Sequence, residues 1–133
     1  MSDRFSTAPI SQLIGFDVVP AKEQDVAESR GHAVVHLECD QRLHNPMGRV
    51  HGGVVSALAD AAMGIAFGRT LLPSEDFSTV EMKVSFMRPV KAGRLTATAN
   101  VTQRGLRIGF VECQIHGSRG KLIATGSCTC TVI

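Results

Sequence analysis

One carboxylate stands alone in the most apolar stretch of this 133-residue chain. Residues 52–68 read GGVVSALADAAMGIAFG, and Asp60 is the one charged residue among them. Burial strips water from a carboxylate and raises its pKa, and both changes suit a general base or a nucleophile. The alternative is a structural Asp60 that hydrogen-bonds a neighbouring strand or solvent, because an unpaired buried charge is costly.

The tripeptide His51-Gly52-Gly53 stands where this apolar stretch begins as a predicted helix. The first backbone N–H groups of a helix have no partner within it and lie at the positive end of its dipole. Glycines there let a substrate approach closely, so the Gly52 N–H could polarise a carbonyl and hold an oxyanion. A tight turn into the helix would explain both glycines equally well.

The spacing of the two candidate groups has a consequence for assembly. Gly52 and Asp60 are eight residues apart, which is roughly 12 Å along one helix axis. One carbonyl group cannot easily be bound by the first and attacked by the second within one chain. Two such helices packed antiparallel would bring Asp60 of one chain to Gly52 of the other. If both groups are catalytic, we therefore expect a two-fold homodimer with shared sites.

Hydrophobic periodicity predicts the elements that position this helix. We predict a short helix at 10–14, strands at 16–21 and 31–38 joined around a polar stretch at 22–30, and four strands at 79–86, 94–103, 107–116 and 121–132. Short joins containing glycine predict that these last four form an antiparallel meander. Within 79–86, strict alternation places Thr79 on the opposite face from Val80, Met82 and Phe86.

The predicted fold class is α+β. A helix that is apolar on nearly every side is typical of a buried helix, and a strongly curved antiparallel sheet could wrap around it. The length fits a single domain spanning 1–133, with residues 1–9 flexible.

Composition excludes several classes of partner. The net charge is only +2, and the chain has neither Trp nor Tyr, so we expect no nucleic-acid binding and no membrane binding. The four cysteines form no C-x-x-C pair and no zinc-type spacing with histidine, so we expect no metal and no cofactor. The N-terminus lacks the apolar region of a signal peptide, which suggests a cytoplasmic protein.

The combined pattern resembles a known family. Asn45-Pro46-x-Gly48-x-x-His51-Gly52-Gly53, followed by Asp60 nine residues after the histidine, is similar to the hotdog-fold thioesterases of the phenylacetic-acid-degradation (PaaI-like) type. The segments STVEMKVSFMRP at 78–89 and GKLIATG at 120–126 also fit. The resemblance runs from about residue 13 to the C-terminus.

The resemblance implies a hotdog fold and the hydrolysis of acyl-CoA or aryl-CoA thioesters to a free acid and CoA. It implies that Asp60 acts as general base or nucleophile and that the Gly52 N–H polarises the thioester carbonyl. It matches Asn45 and His51 to polar residues that position the thioester or the attacking water, and Thr79 to a Ser or Thr near the carboxylate. Two structural alternatives remain open: His51 could be a loop histidine that fixes the turn, and Asn45 could serve only in turn formation. The expected assembly is a homodimer that pairs into a dimer of dimers, a homotetramer.

Further residues are predicted to contact the substrate. The acyl pocket is expected along the helix and strand 79–86, with Gly53, Val54, Leu58, Met63 and Phe67 as lining residues. The CoA phosphates need cations, for which arginine is well suited. The candidate cations are Arg88, Lys91, Arg104 and Arg107.

Three other functions remain open. A non-catalytic acyl-CoA-binding hotdog module would share the fold, but it would gain nothing from a carboxylate beside the thioester. A hotdog dehydratase or hydratase would need a different signature around His51. A scaffolding oligomer would leave the pattern from Asn45 to Asp60 unexplained.

Overall fold

The computed structural model describes residues 4–5, 7–21 and 29–133. Along the chain the elements are α1 (Pro9–Ile14), β1 (Phe16–Val18), β2 (His32–Cys39), a 3₁₀ turn (Gln41–Leu43), α2 (Gly52–Gly68), β3 (Phe77–Phe86), β4 (Gly93–Arg104), β5 (Ile108–His116) and β6 (Leu122–Val132). The predicted bounds of the long helix are confirmed, whereas the first strand is shorter than predicted. Most of the polar stretch at 22–30, and part of the segment 1–9, lie outside the described residues.

The six strands form one antiparallel sheet in the order β1-β2-β4-β5-β6-β3. Helix α2 packs against β2, β3, β4, β5 and β6, so the predicted α+β arrangement of a sheet around one long helix is confirmed. Alternate residues of β2, β4 and β5 are buried, as expected for strands with one face on a core. The hydrophobic core therefore lies between the sheet and one side of α2.

The sheet covers one face of α2 and leaves the other open. Leu58, Ala62 and Met63 are fully buried, whereas Gly53 and Asp60 are exposed. The prediction of a helix buried on every side is therefore wrong for a single chain. Six strands curve around one side only, so apolar composition alone did not reveal that a face stays uncovered.

The predicted four-stranded meander is also wrong. Strand β3 pairs with β6, and β4 pairs with β2 on its other side, so only β4, β5 and β6 form a meander. The join at 87–92 crosses the end of the sheet instead of making a hairpin. Backbone hydrogen bonds hold this crossover: Met87 N–H donates to the Ile123 carbonyl over 2.8 Å, and Val50 N–H donates to the Val90 carbonyl over 2.7 Å.

A β-bulge changes which way Thr79 points. The register between β3 and β6 shifts between Thr79 and Glu81, so Val80 is an extra residue that has no counterpart on β6. Because a bulge inserts one residue, the side chains before it change face relative to those after it. Thr79 pairs with the buried Cys130 and Met82 pairs with the buried Cys128. The prediction that Thr79 and Met82 lie on opposite faces is therefore wrong, and Thr79 lies on the face toward α2.

The four cysteines are buried and free of disulfides. Burial is the largest cause that raises the pKa of Cys39 and of Cys113 to about 11, so both thiols stay protonated at neutral pH. Among the described residues no group of His, Cys, Asp and Glu side chains could hold a metal ion. No helix in the described part of the chain is long and apolar enough to cross a membrane.

Candidate active site

Asp60 lies on the open face of α2, midway along the helix. Within the described part of the chain, no side chain or backbone group forms a hydrogen bond or an ion pair with its carboxylate. Although the residue is accessible to solvent, the surrounding atoms desolvate the carboxyl group enough to raise its pKa. An unpartnered carboxylate with a raised pKa is a better proton acceptor than an ordinary surface aspartate. The prediction of a buried charge is corrected to a charge on an uncovered face.

His51 is the N-cap of α2. Its Nδ1 accepts a hydrogen bond from the Gly53 N–H over 2.8 Å, and its backbone carbonyl accepts from the Val54 N–H over 2.9 Å. Because Nδ1 is an acceptor, the neutral ring carries its proton on Nε2. The structure thus gives His51 the turn-fixing role that was left open, and its Nε2 has no hydrogen-bond partner among the described residues.

In this first turn of α2, the hydrogen-bond donor that remains available is the backbone N–H of Gly52. Its N–H has no acceptor among the described residues, while the N–H groups of Gly53 and Val54 are both satisfied. A side chain at Gly52 would meet the ring of Phe86 at 3.4 Å. Gly52 therefore presents one backbone donor at the positive end of the helix dipole, beside an aromatic ring.

A groove of about 300 Å³ opens at this end of α2. We call it the N-terminal groove. Its walls come from the loop before α2, the start of α2, the end of β3 with the crossover that follows, and β6: Asn45, Arg49, Val50, Gly52, Val55, residues 86–90 and Ile123. The hydrogen bond between Val50 and Val90 joins two of these walls. Gly52, Asn45 and Arg88, all predicted from the sequence, line this one groove.

Asn45 closes a turn beside the groove. Its Oδ1 accepts hydrogen bonds from the N–H groups of Met47 at 3.0 Å and Arg49 at 3.2 Å. This is the turn chemistry that the sequence left open. The Nδ2 amide group has no acceptor within the described ranges, so it is the end of the side chain that a ligand could use.

The four predicted phosphate-binding cations do not form one group within a chain. Arg88 and Lys91 lie in the crossover, whereas Arg104 and Arg107 lie at the far end of β4, roughly 36 Å away along a strand of 12 residues. Arg104 is also held in place: Nε donates to Thr70 Oγ1 over 2.9 Å, and the guanidinium group lies 3.6 Å from the Glu75 carboxylate. Its role in this chain is structural.

The predicted acyl-pocket residues divide between the core and the open face. Leu58, Met63 and Phe67 are fully buried beneath the sheet, so their assignment to the pocket lining is wrong for a single chain. Val54 is half-buried and Gly53 is exposed, and both lie toward the open side of α2. The helical period of 3.6 residues separates these two sets.

Thr79 reaches the region of Asp60 through the bulge in β3. Its Oγ1 lies 3.8 Å from the Sγ atom of Cys130, which lies 3.7 Å from the Sγ atom of Cys128. The negative charge of Asp60 acts to raise the pKa of both thiols, so the carboxylate lies near the same pair. For Cys130 the hydrogen bond with Cys128 is the largest cause and lowers its pKa.

Sequence reasoning missed several groove residues, among them the charged Arg49. Arg49 was not singled out as a site residue, whereas Phe86 belongs to strand 79–86, which was expected along the acyl pocket. The position of Arg49 between Asn45 and His51 was the available signal, since a loop that carries candidate site residues places its neighbours there as well. The contact between Phe86 and Gly52 depends on the crossover of β3, which the meander prediction excluded.

The comparisons with known proteins agree with this fold. The sequence model of the Thioesterase superfamily matches residues 47–124. A 1,4-dihydroxy-2-naphthoyl-CoA hydrolase of Listeria monocytogenes is 30% identical over 123 residues, which cover 92% of this chain and 94% of that protein. A conserved Pseudomonas aeruginosa protein, PA5202, has a TM-score of 0.85 at 29% identity, over 97% of each chain. Escherichia coli PaaI, from the phenylacetic acid degradation operon, has a TM-score of 0.84 at 25% identity, over 97% of this chain and 87% of that one.

The fold and the site thus define a hotdog-fold enzyme of the PaaI-like type. The chain belongs to the Thioesterase superfamily and is a thioester hydrolase.

Proposed function

We propose that the chain hydrolyses acyl-CoA or aryl-CoA thioesters to the free acid and CoA. Asp60 is the general base or the nucleophile, and the Gly52 N–H binds the thioester oxygen. The observation that carries this proposal is a pair of groups on α2 that have no partner in the described part of the chain, the N–H at its start and the carboxylate on its open face. The name of the Listeria relative, a CoA-ester hydrolase, supports the substrate class.

The chemistry can follow two routes from the same geometry. As a base, the Asp60 carboxylate takes a proton from water while the water oxygen attacks the carbonyl carbon. The tetrahedral oxyanion is held by the Gly52 N–H, the C–S bond breaks, and the leaving thiolate takes the proton. As a nucleophile, the carboxylate itself attacks, the thiolate leaves, and water then hydrolyses the mixed anhydride.

We further propose that the two groups act on one substrate from different chains of a homodimer. They are eight residues apart on one rigid helix, roughly 12 Å, too far for one carbonyl. Strand β3 is an edge of the sheet, and its exposed apolar residues include Val80 at 60% and Phe86 at 55% exposure. An apolar edge beside an open helix face suits an isologous contact. The pairing of dimers into a tetramer stays a prediction.

Release of free thiol from a panel of acyl- and aryl-CoA thioesters tests the activity. We expect turnover by the wild type and a loss of roughly 10²–10⁴ in kcat for Asp60→Asn, the usual scale for a general base. Retained turnover in this variant would sink the assignment of Asp60. Binding of CoA esters without thiol release by the wild type would instead favour the non-catalytic binding module.

A matched pair of variants tests the Gly52 N–H. Proline is tolerated at the first position of a helix and removes the N–H, while alanine keeps it. Both add carbon atoms near the Phe86 ring. We expect Gly52→Pro to have a kcat lower than that of Gly52→Ala by roughly 10²–10³. Equal rates for the two variants would show that the N–H does not act on the substrate.

Mixing the two inactive variants tests the shared site. In a dimer formed from one Asp60→Asn chain and one Gly52→Pro chain, one of the two sites has both groups intact. Random exchange of subunits should therefore restore about a quarter of wild-type activity. No recovery, under conditions in which mixed dimers are demonstrated by mass spectrometry, would place both groups of a site in one chain.

A further inference from the structure

Two arginines in the N-terminal groove have no partner. Arg49 and Arg88 both line it, and no described residue accepts a hydrogen bond or an ion pair from either guanidinium group. No acidic side chain is among the groove residues. Other arginines of this chain are engaged, since Arg42 pairs with Asp40 and Arg94 with Glu38. Two guanidinium groups in one groove, with no acidic partner among the described residues, favour the binding of an anion.

Apart from Asn45, the other side chains of the groove are apolar. Val50, Val55 and Ile123 are buried in its walls, and the ring of Phe86 packs against Gly52. The N-terminal groove therefore offers apolar walls with two cations, the Asn45 amide and one backbone N–H that has no acceptor among the described residues. That combination fits a short hydrocarbon segment with a carbonyl at one end and a negative charge at the other.

The distance between the thioester carbonyl and each anionic group of a CoA thioester decides which anion the two arginines can bind. A volume of about 300 Å³ is that of a sphere roughly 8 Å across. The diphosphate of CoA is separated from the thioester carbon by about 14 covalent bonds, which extend over roughly 17 Å. A carbonyl on the Gly52 N–H and an anion on the arginines of the same groove are closer together than that. A carboxylate at the far end of a four- to six-carbon acyl chain lies about 4–6 Å from the carbonyl carbon, which fits.

From this we infer that the N-terminal groove selects acyl groups that end in a carboxylate, with Arg49 and Arg88 binding that carboxylate. The inference rests on the proposed function, because it places the thioester carbonyl at Gly52. It assigns Arg88 to the acyl end of the substrate instead of the CoA phosphates. It also makes Arg49, which the sequence pattern did not single out, a residue that determines specificity.

The test compares two substrates that differ in one charge. Glutaryl-CoA and its methyl ester have the same chain, but only the first ends in a carboxylate. The quantity measured is the ratio of their kcat/KM values for the wild type, for Arg49→Gln and for Arg88→Gln. Arg30→Gln is the matched control, because this exposed arginine precedes β2 at the end that pairs with Asn100, far from the groove.

We expect the wild type and Arg30→Gln to prefer the acid by tenfold or more. Each groove variant should lower that preference on the order of tenfold to a hundredfold, the usual effect of losing a hydrogen bond to a charged group. A wild-type ratio near one, or a ratio that the groove variants leave unchanged while both substrates slow in parallel, would overturn the inference. The second result would mean that the arginines bind the CoA phosphates. Absence of thiol release from every thioester tested would refute the proposed function itself, which is a separate outcome.

Discussion

Ala57 and Ala62 are the same residue on the same helix, yet their surroundings differ. Ala62 is fully buried beneath the sheet, whereas Ala57 is half-buried on the side of α2 that carries Asp60. The sheet makes this difference, because its six strands close around only one side of the helix. The covered face packs the core of the chain, and the open face holds the candidate catalytic carboxylate.

The open face is almost as apolar as the covered one. Apart from Asp60 it consists of small or aliphatic residues, and the exposed apolar residues of edge strand β3 continue it. Apolar surface of this kind beside an unpaired strand edge marks a contact surface. Substitutions on the two faces should therefore have different consequences, on the folding of one chain and on the association of two.

The largest expected effect on stability is on the covered face. Leu58 is fully buried in the core, so Leu58→Ala leaves a cavity and should lower the free energy of unfolding by about 2–5 kcal/mol. Val54→Ala, at a half-buried position near the open face, is the control and should lower the free energy of unfolding by a smaller amount. Urea denaturation of both variants measures the difference, and equal losses would contradict the two-face description.

The paired alanines give a smaller and more selective effect. Ala62→Leu forces extra methylene groups into a packed core and should cost about 1–3 kcal/mol. Ala57→Leu should leave the free energy of unfolding of a chain nearly unchanged but weaken self-association at the proposed dimer contact. Sedimentation velocity across a concentration series measures the self-association. If Ala57→Leu associates as the wild type does, Ala57 is not part of the dimer contact.

The cap at His51 should contribute about 1 kcal/mol to the free energy of unfolding. His51→Ala removes the acceptor for the Gly53 N–H, while His51→Asn keeps an acceptor that is common at this position. We expect His51→Asn to recover the melting temperature lost in His51→Ala. Recovery of thiol release together with stability would show that His51 acts as a cap alone, and recovery of stability without activity would assign chemistry to Nε2.

The smallest expected effect concerns the charge of Asp60. Desolvation raises its pKa in the folded state, so the folded state holds the proton more tightly than the unfolded state does. The stability that this proton contributes is present below the ordinary pKa of an aspartate and is lost as pH rises through the raised value. Asp60→Asn should therefore melt at a higher temperature than the wild type at neutral pH, and the difference should shrink on acidification. A lower melting temperature at neutral pH would instead reveal a stabilising partner for the carboxylate.

Much of the fold could be predicted because the signals are local. The alternation in β4 and β5 and the apolar run of α2 gave those elements nearly their observed bounds. The first helix ends at residue 14 as predicted, and Gly15 after it adopts a φ of 103°, a conformation that favours glycine. The fold family came from the resemblance carried by the pattern from Asn45 to Asp60 together with the segments at 78–89 and 120–126, which a sequence displays directly.

Other features could not be predicted, because they depend on which distant segments meet. Nothing in residues 77–86 says that β6 is their partner, and nothing in the alternation reveals the bulge that turns Thr79 toward α2. The groove that joins Arg49 to Arg88 exists because the crossover at 87–92 packs against the loop before α2.

By itself, the sequence determined the helix, the strands and the identity of the groups that could act on a thioester. The tertiary structure alone decided which face of α2 is open, where Thr79 points, and which arginine lines the groove beside Gly52. The physical reason is range. Periodicity and capping depend on residues a few positions apart. The burial of a helix face depends on strands that lie tens of residues away in the sequence.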